Sequence, residues 1–109
     1  MSSERPEGNW DYSLLHYAAK DKNYQLVKEL LTRKDIDVNL QSKAGRTPLM
    51  LASGNGSFEI VQELLTRKDI DVNLQTKKGS TALTIATKRG FEKIVEKLQQ
   101  AALKDSPIT

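Results

Sequence analysis

The chain has 109 residues, of which 38% are hydrophobic and 28% charged, proportions that suit one small folded domain or one short repeat array. Its 17 Lys and Arg against 14 Asp and Glu leave a net charge of +3, which favours acidic partners only if the positive residues gather on one surface. Cys is absent, excluding disulfides and thiolate metal sites, and no apolar run approaches the ~20 residues needed to span a bilayer.

The elements come in triplicate. Leu30 to Gln41 reads LLTRKDIDVNLQ, and Leu64 to Gln75 reads the same twelve residues at an offset of 34. The register extends on both sides: Val27 maps to Val61, Gly45 to Gly79, Thr47 to Thr81, Leu49 to Leu83, Ala52 to Ala86 and Ile60 to Ile94. A more divergent first copy places Ser13 at the Thr47 position, Leu15 at Leu49 and Ala18 at Ala52. Three copies result, spanning about 9–41, 42–75 and 76–103, between a flexible segment 1–8 and a tail 104–109.

In chain order, Met1 to Asn9 is polar and carries no apolar signal core. Trp10-Asp11-Tyr12 then stands where later copies have a turn glycine, as an N-terminal cap would. The middle copy shows the plan most clearly. Gly45 supplies a turn position with positive φ, Thr47 can cap a helix and Pro48 suits its first position. Leu49 to Ser53 forms a first short helix, which Gly54-Asn55-Gly56 ends. Ser57 is expected to cap a second helix, with Glu59 in its first turn. Ile60, Val61, Leu64 and Leu65 make one apolar stripe along it. An extended finger follows, entered through Arg67-Lys68-Asp69-Ile70. The third copy repeats the plan with Thr81 as cap, Gly90 as breaker and a stripe of Phe91, Ile94, Val95 and Leu98. It lacks a finger, because Gln99 to Lys104 continues as helix and forms a polar C-terminal cap. No helix could bury its stripe alone, so stacked neighbours must supply the core.

These residues resemble the ankyrin repeat family over about residues 9–103. The family pattern G-x-T-P-L-H-x-A-A is matched by Gly45-Arg46-Thr47-Pro48-Leu49-Met50-Leu51-Ala52-Ser53, its I-V-x-L-L by Ile60 to Leu65, and its finger by Ile70-Asp71-Val72-Asn73. The first copy offers Ser13-Leu14-Leu15-His16-Tyr17-Ala18-Ala19. The resemblance implies an all-α solenoid of stacked helix-turn-helix units with β-hairpin-like fingers. The period of 34 exceeds the usual ~33, implying a slightly longer link after the second helix. The helix-opening histidine survives only as His16, with Met50 and Thr84 in its place, so the later junctions are expected to be less firmly tied.

Candidate chemistry is sparse. His16, the single histidine, has no partners for a metal site or catalytic dyad. The Asp35/Asp37 and Asp69/Asp71 pairs lack a full calcium loop and read as turn acids. Gly54-x-Gly56 lacks the rest of a phosphate-binding pattern. No catalytic residue, metal or cofactor is therefore expected. By resemblance, a partner would meet the finger tips and the exposed ends of the first helices. Those positions are Asn9, Trp10, Tyr12, Lys20 and Asp21 in the first copy, Lys43, Ala44, Arg46, Gly54 and Asn55 in the second, and Lys77, Lys78, Ser80, Lys88 and Arg89 in the third. The surface runs from an aromatic to a basic end, where Trp10 either anchors a partner or covers the core. The expectation is a monomeric, cytoplasmic or nuclear module that binds an acidic or mixed protein surface. Nucleic-acid binding through the basic strip and a purely structural or engineered repeat segment stay open as alternatives.

Overall fold

The computed structural model describes residues 12–104. They form α1 (Leu14–Lys20), α2 (Tyr24–Leu31), α3 (Pro48–Gly54), α4 (Phe58–Leu65), α5 (Ala82–Arg89) and α6 (Glu92–Lys104). Each odd-numbered helix packs on the even-numbered helix that follows it, α1 and α5 both pack on α3, and α2 and α6 both pack on α4. The result is an inner layer of α1, α3 and α5 and an outer layer of α2, α4 and α6.

The core lies between the layers and is built from the repeated positions. Leu15 and Leu49, Val27 and Val61, Leu30 and Leu64, and Ile60 and Ile94 are buried in corresponding places. Full burial of each such side chain contributes roughly 1.5–3 kcal/mol before conformational entropy is counted. Ala18, Ala52 and Ala86 are inaccessible, and their small side chains let the inner helices approach one another. Val38 and Val72 extend the core beneath the fingers.

The inner helices begin as their residues dictate. Ser13, Thr47 and Thr81 have extended backbones and accept from the N–H groups of His16, Met50 and Thr84. The outer helices differ: Asn23 caps α2 through Leu26 N, but the Ser57 side chain makes no cap bond. Its hydroxyl donates to Asn55 Oδ1 at 2.6 Å, so the expected role of Ser57 is corrected. Gly56 and Gly90 turn the chain between paired helices with φ of 78° each, whereas Lys22 occupies the corresponding place with φ of 60°.

No strand occurs among the described residues, so the expected β-hairpin-like fingers are turns instead. Ser42 N donates to Arg46 O at 2.9 Å and Thr76 N to Ser80 O at 2.8 Å, and further bonds join the first finger to the second. At the first tip, a Cβ on Gly45 would lie 2.7 Å from Thr76 Cα, and its φ of 86° independently favours glycine. In the third copy α6 is 13 residues long, against 8 for α2 and α4, and stays helical through 101–104, the positions of Arg67–Ile70 in the second copy.

Candidate functional site

A groove of about 580 Å³ opens between the turns and inner helices of the second and third copies. Its position follows from the stacking of α3 on α5 and from the docking of one turn on the next, where Lys77 N donates to Ala44 O at 3.0 Å. Met50, Leu51 and Ile85 supply apolar lining; Lys20, Arg46, Lys77, Lys78 and Arg89 line it with positive charge. Among the described residues, no Asp or Glu lines the groove, and none of these cations pairs with an acidic group.

Two lining side chains also hold the wall together. Asn55 Nδ2 donates to Ala19 O and Lys20 O at 3.0 and 3.1 Å. One repeat on, Arg89 Nη1 donates to Gly54 O at 3.2 Å. Both satisfy carbonyls at the C-terminal end of the preceding inner helix, where such groups lack intrahelical partners.

The structure gathers some of the sequence-predicted residues and separates others. Lys20, Arg46, Asn55, Lys77, Lys78 and Arg89 line the groove, together with Ala44, Gly54 and Ser80. Asp21 is the exposed C-cap of α1, and Lys43 and Lys88 are exposed outside the groove lining. Tyr12 stacks on the His16 ring at 4.9 Å and meets Tyr17 edge-on at 5.6 Å, so its ring serves the first inner helix. Asn9 and Trp10 lie outside the described residues, as do segment 1–8 and most of the tail. The apolar lining was missed, although one signal was available: Tyr17, Leu51 and Ile85 share a single repeat position, and all are large. As for the remaining acids, Asp37 and Asp71 accept from Asn39 N and Asn73 N at 2.9 Å, in turn roles. Hydrogen bonding from Arg67 holds the Asp69 carboxyl below its ordinary pKa, and the bond to Glu63 raises that of the Tyr24 hydroxyl.

Such a groove can seat an apolar side chain while its charged lining attracts carboxylates. Among the described residues, no group of three or more His, Cys, Asp or Glu is arranged to hold a metal, and no helix is long and apolar enough to cross a membrane.

The family pattern described as ankyrin repeats in three copies matches residues 15–106. The fold is similar to a chain in the complex of the predatory endopeptidase Bd0816 from Bdellovibrio bacteriovorus with the immunity protein Bd3460. The two are 34% identical, with a TM-score of 0.75, over 84% of this chain and 47% of that one. This chain therefore spans about half the length of its structural neighbour.

Proposed function

The chain belongs to the ankyrin repeat family, and from that premise we propose that it is a protein-binding module whose groove takes an acidic partner segment. Ankyrin repeats are protein-interaction modules and are in general non-catalytic; the structural neighbour comes from a protein–protein complex. The observation that carries the finer reading is the groove itself, with apolar Met50, Leu51 and Ile85 amid positive charges and no carboxylate lining it among the described residues. A partner would insert an apolar side chain between acidic neighbours. The groove is built on packed helices, so little ordering cost falls on association. We read the module as monomeric, without catalysis of its own, and acting in the cytoplasm or nucleus.

The test compares partner retention by the wild type and by Lys77→Glu/Lys78→Glu. Both lysines are exposed and bond to no neighbour through their side chains, whereas Arg89 also braces α3. Loss of the partner from the folded double variant supports the groove; undiminished retention rejects it.

A further inference from the structure

Gly54 is the last residue of α3 and stands at the repeat position of Lys20 and Lys88. Gly45, Gly56, Gly79 and Gly90 take positive φ, and Gly54 does not, so its backbone makes no demand for glycine. Glycine is also a poor helix former, and lysine a good one. What glycine provides at this position is room for another group to approach. A Cβ on Gly54 would point at Ile85, 3.2 Å from its Cγ2. Gly54, Leu51 and Ile85 all line the inner groove, and Leu51 and Gly54 share a helix face at i, i+3 spacing.

The repeat shows what is missing. Lys20 stands to Leu51 as Gly54 stands to Ile85, so the first junction keeps a lysine stem where the second leaves a notch. A lysine stem is about four methylenes long, close to a leucine side chain in bulk and narrower than an aromatic ring. Arg89 Nη1, bonded to Gly54 O at 3.2 Å, fixes the main chain beside the notch, which is therefore formed before any partner arrives.

We propose that the notch at Gly54 is the specificity pocket of the groove and takes a leucine-sized aliphatic side chain of the partner. Lys77, Lys78 and Arg46 line the same groove and hold carboxylates on either side of that residue. The inference rests on the groove as the partner site and adds which side chain it selects and which residue does the selecting. A lysine at position 54 would fill the notch with its own stem while keeping the groove positive, so shape and charge separate.

The test is an NMR titration of the ¹⁵N-labelled full chain, read at the amide signals of Leu51 and Ile85. The probes are synthetic peptides Glu-Asp-Glu-X-Glu-Asp-Glu with X leucine, alanine or phenylalanine, carried to about millimolar concentration. Wild type should bind the leucine peptide about tenfold more tightly than the other two, and Gly54→Lys should bind all three alike. Wild type binding the leucine peptide no better than either of the others, a result that needs no variant, would overturn the proposal. A leucine preference that survives in Gly54→Lys would do the same. In either event Lys77→Glu/Lys78→Glu locates the failure: if it weakens all three peptides, only the notch falls, and if it weakens none, the groove reading falls with it.

Discussion

His16 Nε2 donates to the main-chain carbonyl of Arg46 at 2.9 Å, joining the first inner helix to the turn that opens the second copy, across thirty residues of sequence. A carbonyl can only accept, so Nε2 carries the proton and Nδ1 is left to accept from Ser13 N at 3.1 Å and the Ser13 hydroxyl at 2.8 Å. The ring is fully buried. One side chain therefore closes its own helix cap and ties two copies together. The histidine expected to link units does so here, and Met50 has no atom able to make the same bond to Ser80 O at the next junction.

His16→Leu is expected to destabilise the fold by about 1–3 kcal/mol, because the bond to the Arg46 carbonyl and the bonds that Nδ1 accepts from Ser13 are lost together. Conversely, Met50→His should add a bond to Ser80 O and stabilise by about 1 kcal/mol, since Thr47 already occupies the capping place of Ser13. Urea unfolding of both variants checks the pair.

Lys22 holds a left-handed conformation that Gly56 and Gly90 adopt at the corresponding places. Lys22→Gly should therefore raise stability by up to about 1 kcal/mol, the relief of left-handed strain exceeding the entropy lost. Gly45→Ala should cost more than about 2 kcal/mol, through positive φ and contact with the Thr76 backbone. Thermal unfolding of the two variants should move in opposite directions.

The Arg67–Asp69 pair, 2.8 Å apart, gives a pH-dependent term. Because the folded pKa of Asp69 is lowered, its contribution is present above the unfolded value near ~3.9 and is lost as pH falls through the folded one. The carboxylate is 56% exposed, so the effect is small and screened by salt. Asp69→Asn should be slightly less stable than wild type at neutral pH, and the difference should vanish in acid. Arg67→Ala should cost about 1–2 kcal/mol at neutral pH, as its bonds to the first copy are lost as well. Denaturant melts across the acid range measure both.

Much of this architecture was legible because it rests on local chemistry repeated at fixed spacing. Thr47 and Thr81 cap, Gly45 and Gly90 take positive φ, and Ile60, Val61 and Leu64 of the stripe on α4 are buried, with Leu65 half-buried beside them. The exceptions arise where a competing bond forms. Ser57 looked like a cap, but Asn55 two residues earlier presents an acceptor to its hydroxyl. The fingers resemble hairpins in sequence, yet no strand forms among the described residues, and side chains of the first finger bond to the main chain of the second, a pairing that no single copy reveals. The groove's charged residues follow from repeat positions, while its apolar lining belongs to inner-helix positions that the outer-helix stripe does not predict. Tyr12 stands on the expected partner surface by its repeat position, and its stacking on the buried His16 ring is a contact that position alone does not reveal.

The central claim is that the inner groove holds the partner, and the most direct test is retention of proteins from a lysate of the source cells. Wild type is compared with Lys77→Glu/Lys78→Glu and with Lys28→Glu/Lys93→Glu, an equal charge change at exposed positions of α2 and α6. The groove reading predicts a protein retained by the wild type and by the outer-helix variant and lost from the groove variant. Equal retention by the groove variant would contradict it.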